Sequence, residues 1–272
     1  MNAARFAEIT DRYASLRLAL VGDFCLDRYL EIDPARAETS IETGLPVHNV
    51  VRVRSQPGGA GTILNNLVAL GVGHLTPIGF CGDDGEGYEL LAALNMMTGV
   101  HLDHFLQTPE RRTFTYCKPL VCEPGESPRE LSRLDFKNWS PTPESVHDAL
   151  RESFYEAGES SDALILLDQV DLPNTGVITT DLLESVRIKA AAQPDFMMMG
   201  DSRCSLKGWP PVCLKMNAVE FGALMGKSPT ASLDEISRAA ADLARSHGRH
   251  VFITISERGI LGAAPSGEVE HV

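Results

Sequence analysis

The 272-residue sequence has no apolar run of bilayer length, no C-x-x-C pair, no internal repeat and no low-complexity linker. Its longest apolar runs, such as 163–167, have the length of a buried strand, far short of the roughly 20 residues that a spanning helix needs. At the N-terminus, Phe6, Ile9, Tyr13 and Leu16 recur among Arg5, Glu8, Asp11 and Arg12. That 3.6-residue stripe predicts an amphipathic helix and not a secretory leader. The six cysteines are scattered and no His pair stands at zinc spacing, so the expectation is reduced, buried thiols in a cytoplasmic protein. Positive charge is in deficit too: 24 Lys+Arg against 37 Asp+Glu leave a net charge of −13. Such a field repels phosphate backbones and anionic lipid, which argues against nucleic acid and membrane as partners. It leaves open a phosphorylated small molecule held by backbone amides and a few local cations.

What is present is an ordinary globular composition, 43% hydrophobic and 22% charged. Strands are predicted over 18–21, 76–80, 163–167, 196–199, 212–215 and 251–255, and helices over 65–70, 88–97, 180–192 and 233–246. Apolar strands alternating with helices imply a mostly parallel sheet covered on both faces. Polar residues repeatedly follow the strands' C-terminal ends, where open α/β sheets bind ligands. The stretches 29–54 and 111–122 break the alternation and read as strands with one wet face. They predict a small β lid on a single domain spanning 1–272.

Five motifs invite a chemical reading. In Gly22-Asp23-Phe-Cys-Leu-Asp27-Arg28, two carboxylates four apart suit a polyol; the bland reading is a helix N-cap at Asp23 and a surface Asp27. Pro57-Gly58-Gly59-Ala60-Gly61-Thr62 precedes a helix bearing Asn65 and Asn66, so the backbone can approach a ligand closely, or simply turn. It also imitates a dinucleotide fingerprint, with Leu64 in place of the third glycine, and so raises a Rossmann-type oxidoreductase as a rival. Gly222-Ala-Leu-Met-Gly226-Lys227-Ser228 has three intervening residues where a phosphate loop needs four, and is rejected. Lys215-Met-Asn217-Ala-Val-Glu220 suits a phosphate–magnesium assembly, or a capping box with Asn217 as N-cap. Thr254-Ile-Ser256-Glu257-Arg258-Gly259 suits nucleotide phosphates, or a plain strand-to-turn junction. The eight histidines show no metal or nucleophile spacing.

In order along the chain, and with Gly79-Phe-Cys-Gly82-Asp83-Asp84-x-x-Gly87, the four motifs that remain resemble those of the ribokinase-like (PfkB-type) carbohydrate kinases. Val21-Gly-Asp-Phe-Cys-Leu-Asp-Arg-Tyr29, Leu45-Pro-Val47 and Ser132-Arg-Leu-Asp-Phe136 look like the bacterial heptose-phosphate kinases of ADP-heptose synthesis. The resemblance implies a three-layer ribokinase-like α/β fold, and transfer of the γ-phosphoryl of ATP to a sugar or sugar-phosphate hydroxyl with Mg²⁺. By the same resemblance Asp27, Gly58, Gly59, Asn66 and Asp171 bind the sugar, and Arg112 and Arg133 meet a substrate phosphate. Lys215, Asn217, Thr254, Ser256 and Gly259 bind the nucleotide, and Glu220 the metal. The chain departs from the family pattern at three places: Thr62 replaces the usual Asn, Ser256 the usual Gly, and Asp201-Ser-Arg203 the frequent Asp-Pro-Lys. The family's base is the Asp of a Gly-Ala-Gly-Asp loop, which the resemblance puts beyond Val272, so the expectation is a shortened chain. The rival is a non-catalytic sugar- or nucleotide-binding protein on the same fold. Exposed strand edges also predict a homodimer through the lid strands.

Overall fold

In the computed structural model, residues 2–226 and 232–272 are described. The chain runs α1 (Ala3–Thr10), β1 (Arg17–Gly22), β2 (Phe24–Ile32), β3 (Glu38–Thr39), β4 (Pro46–Val47), β5 (Val50–Gly59), α2 (Ala60–Ala69), β6 (His74–Gly82) and α3 (Gly85–Asn95). It continues with β7 (Phe105–Thr108), β8 (Phe114–Val121), β9 (Arg129–Glu130), β10 (Leu134–Phe136) and α4 (Glu144–Ser160). The second half holds β11 (Ala163–Asp168), α5 (Thr180–Ala192), β12 (Met197–Ser202), β13 (Cys213–Asn217), α6 (Ala218–Met225), α7 (Leu233–His247), β14 (Val251–Thr254), β15 (Ile260–Ala263) and β16 (Val269–His271).

Nine strands form the main sheet in the order β16-β15-β14-β13-β12-β11-β1-β6-β7. From β14 to β7 all pairs are parallel, and β15 and β16 close one edge antiparallel. The alternation along β1 shows why both faces must be covered. Ala19 and Val21 join an apolar cluster with Val146, Leu150 and Phe154 of α4 and Leu182 and Val186 of α5. Leu20 joins another with Leu64 of α2 and Leu90 and Leu94 of α3. This is the three-layer architecture that the alternating strands and helices predict.

A second, smaller sheet runs β10-β8-β2-β5, with β9 on the side of β8. It starts at Phe24 and ends at Phe136, so it takes in residues outside the two stretches predicted for it. The reason is at Asp23: no helix starts there, and β1 passes into β2 across that single residue. Period two then divides β2 between two surroundings. Arg28 reaches α3, with Nη2 2.8 Å from Glu89 Oε1. Asp27 and Tyr29 face the opposite way, where Lys118 Nζ of β8 reaches both.

The Gly58–Gly61 segment joins β5 of the small sheet to α2. A dinucleotide fingerprint requires a strand of the parallel sheet before that turn, so the oxidoreductase reading fails on context. Gly222 of the rejected phosphate-loop imitation lies within α6, while its Lys227 and Ser228 lie outside the described residues.

Candidate active site

Asp23 is fully buried and is not an N-cap. Its carboxylate accepts the backbone N–H groups of Gln169 (2.8 Å), Val170 (3.2 Å) and Val177 (2.7 Å), and its carbonyl oxygen accepts that of Ala60 (2.9 Å). Burial raises its pKa, and the three N–H groups oppose the rise. One residue thus ties together the β1–β2 junction, the start of α2 and the loop after β11.

A cavity of about 510 Å³ opens beside this knot, between the C-terminal ends of β11 and β12 and the inner face of the small sheet. Asp27, Gly59, Arg133, Asp171 and Lys215 all line it, although the sequence spreads them from position 27 to position 215. Asn66 does not line it, being exposed on α2 beyond Thr62 and Ile63, which do. Arg112 does not either. Its guanidinium lies 3.3 Å from Glu86 and 3.5 Å from Asp84, over the Phe136 ring. Gly58 sits behind Asp27, where a Cβ would come within 2.7 Å of Asp27 Oδ2.

Five cations line the cavity, each held by a carboxylate. Lys118 Nζ is 2.7 Å from Asp27, Lys137 Nζ is 2.9 Å from Asp171, and Lys215 Nζ is 2.7 Å from Asp201. Arg133 is 2.7 Å from Asp135, and Arg203 is 3.3 Å from Glu220. Asp135 and Glu220 are not among the lining residues, so the wall itself carries five positive groups against three negative ones. In a chain of net charge −13, that is a local reversal of sign suited to an anion. Asp201 Oδ1 is buried in this wall without a hydrogen-bond partner.

Lys118, Lys137 and Arg203 were not among the residues expected in the site. A period-two signal was available: Tyr116 and Lys118 share a face of β8, and Arg133 and Lys137 flank β10 in the same phase. Asp168 does not line the cavity but stands between its lining residues Leu167 and Gln169. Burial pushes its carboxyl up to about 7, while it accepts a 2.7 Å hydrogen bond from Ser202 Oγ.

A second cavity, of about 470 Å³, lies over β13 and β14 and is lined by Asn217, Ala218, Val219, Thr254, Ser256, Gly259 and Ile260. Four of the five residues expected to bind nucleotide therefore meet, and Lys215 lines the neighbouring cavity two residues before Asn217. Ser256 holds φ at 55°, the left-handed region in which a glycine would be unstrained. Gly259 is needed for a different reason: at φ 94° a Cβ would strike the carbonyl of Val272. Asn217 and Glu220 form the capping box of α6, with Glu220 Oε2 2.7 Å from Asn217 N and Asn217 Oδ1 2.9 Å from Glu220 N. Among the described residues no cluster of three or more His, Cys, Asp or Glu is arranged for a metal. The lining offers only the neutral oxygens of Asn217, Thr254 and Ser256, with the Glu220 carboxylate one helical turn from Asn217. That sparse donor set fits magnesium only where phosphate and water supply the remaining ligands.

The fold is that of the ribokinase-like sugar kinases. Phosphofructokinase-2 from Escherichia coli, solved in complex with substrates and products, superposes with TM-score 0.64 at 18% identity, covering 94% of this chain and 78% of that one. A ribokinase from Arabidopsis thaliana complexed with ribose and ATP gives 0.60 at 19% identity, covering 94% and 77%. In sequence, the chain is similar to the bifunctional protein HldE of Hyphomonas neptunium, 28% identical over 271 residues, which are 99% of this chain and 53% of the relative. The HldE of Trichlorobacter lovleyi is 27% identical over 275 residues, covering 100% and 53%. The chain thus spans about half the length of the curated relatives it matches. No family model matches it. Fold and relatives together bear out the resemblance to the ribokinase-like carbohydrate kinases.

Proposed function

We propose that the chain is an ATP-dependent kinase domain that phosphorylates a hydroxyl of a sugar phosphate, with a heptose monophosphate as the first acceptor to test. The observation that carries this reading is the cationic cavity around Asp27, joined along β13 to the cavity of Asn217, Thr254, Ser256 and Gly259. An unphosphorylated sugar would give no reason to gather five cations in one wall. The choice of heptose follows from the resemblance of Val21–Tyr29, Leu45–Val47 and Ser132–Phe136 to the bacterial heptose-phosphate kinases.

In this reading Asp27 and Asp171 accept hydrogen bonds from sugar hydroxyls, and Gly59 lets the sugar lie against the backbone. Arg133 and Lys137 take the acceptor's phosphate, replacing Arg112 in that role. Asn217, Thr254, Ser256 and Gly259 hold the nucleotide, and Glu220 holds magnesium through water. Magnesium–ATP supplies the phosphoryl group and neutralises its charge; the protein's part is mostly positioning. The small sheet acts as a lid that excludes water from the sugar. Its β5 edge presents half-exposed Val51 and Val53, the surface through which two copies would pair.

Calorimetry tests the reading. A heptose monophosphate should bind at least tenfold more tightly than the free heptose, from two charge-assisted contacts of about 1 kcal/mol or more each. Asp27→Asn should weaken the sugar phosphate while leaving ATP within about twofold. Equal affinity for the phosphorylated and the free sugar would refute the substrate assignment, and a parallel loss of ATP would refute the partition of the two cavities.

A further inference from the structure

Among the described residues the wall of the second cavity holds no cation: its lining is Asn217, Ala218, Val219, Thr254, Ser256, Gly259 and Ile260. A polyphosphate seated there must find positive charge at the boundary with the first cavity. Two cations stand at that boundary, Lys215 on β13 and Arg203 just past the end of β12. Lys215 is already engaged, 2.7 Å from Asp201 Oδ2.

Arg203 is differently placed. Its side chain is 52% exposed, and among the described residues its guanidinium makes one contact, from Nη1 to Glu220 Oε1 at 3.3 Å. Its backbone is fixed. Arg203 N donates to the carbonyl of Asp168 at 2.8 Å, and Ser202 Oγ donates to Asp168 Oδ2 at 2.7 Å. Ser202 Oγ in turn accepts the N–H groups of Cys204 (3.1 Å) and Ser205 (3.0 Å), and Cys204 Sγ reaches the carbonyl of Val170 at 3.0 Å. A rigid base thus carries a side chain restrained by a single half-exposed ion pair. Such pairs are worth little in water, so a phosphate able to take two parallel N–H bonds from the guanidinium competes for it readily.

We infer that Arg203 is the residue by which this chain distinguishes a nucleoside triphosphate from a diphosphate. When the triphosphate binds, the guanidinium leaves Glu220 and grips the terminal phosphate between the two cavities. The same exchange frees a Glu220 oxygen on the nucleotide side. The inference rests on the kinase reading and adds a residue at which the chain departs from the Asp-Pro-Lys pattern of its family.

Calorimetric titration of the full chain with ATP and with ADP, each with excess Mg²⁺, tests it. Arg203→Met should raise the Kd for ATP about tenfold or more and leave that for ADP within about twofold, the loss expected for a charge-assisted phosphate contact. Arg203→Lys should recover part of the ATP affinity, because it keeps the charge and loses the fork. Thermal unfolding of both variants shows whether they fold, and either folded variant suffices for the comparison. Equal weakening of ATP and ADP would overturn the inference, because Arg203 would then only support the α6 cap. No change in either, or a loss confined to the sugar phosphate, would overturn it as well. Failure of the unaltered chain to bind ATP or ADP at all would instead refute the nucleotide reading on which it rests.

Discussion

At the scale of single residues, the carboxylates around the β1–β2 junction differ in what water is allowed to do for them. Asp27 faces a cavity and a lysine, whereas Asp23 sees only backbone N–H groups. Asp168 lies between these cases, buried and hydrogen-bonded by one hydroxyl, with a pKa of about 7 against an ordinary 3.8. A carboxyl whose folded pKa is raised stabilises the fold fully below its unfolded pKa, and that stability is lost as pH rises through the folded value. Across pH 5 to 8 Asp168 should therefore lower the melting temperature as pH rises, while His74 and His247, whose pKa values burial lowers, act in the opposite sense. Asp168→Asn, which keeps an acceptor for Ser202 but cannot ionise, should remove the Asp168 share of that slope. Asp23, raised in the same direction, leaves a residual slope. Differential scanning calorimetry at the two pH values decides the matter, and an unchanged slope in the variant would show that Asp168 is not the titrating group.

At the scale of elements, the β5–α2 turn shows how little room the site leaves. Gly59 holds φ 58° and ψ −123°, and a Cβ there would strike the carbonyl of Asp23 and come within 3.2 Å of Cys25 Sγ. Gly59→Ala should cost about 3 kcal/mol or more in a denaturant titration; a cost under about 1 kcal/mol would mean that the turn relaxes freely. The local signals of such elements were readable in advance. Helix α5 coincides with its predicted span, because an N-cap threonine precedes a sustained helical period. Helix α4 went unpredicted although Val146, Leu150, Phe154 and Ala157 repeat at helical spacing. The small sheet was readable only in part, because what turns Asp23 from a cap into a buried anchor lies 146 residues away, at Gln169. The same distance hid half of the cavity wall. Motif order pointed to Asp27 and Lys215, but the pairing of Lys118 with Asp27 is a product of register between β2 and β8.

At the scale of the whole molecule, an acidic chain concentrates five of its 24 cations in one wall. Attraction to a phosphate there is local and works against the overall charge, and added salt screens it over about 10 Å at 0.1 M. Raising the ionic strength should weaken a sugar phosphate several-fold and leave the unphosphorylated sugar unchanged; isothermal titration at two salt concentrations reads the difference, and equal sensitivity would place the phosphate outside this wall. The order of strands in the main sheet has a separate consequence. β1 is the first strand of the sheet to be made, yet it lies between β6 and β11, and its pairing with β11 joins Leu18 to Ala163. On a ribosome adding about 5–20 residues per second, one edge of β1 waits roughly 7–30 s for its neighbour. During that interval the nascent protein exposes one unpaired edge of β1, a row of free backbone N–H and C=O groups open to chaperones that bind unpaired strands.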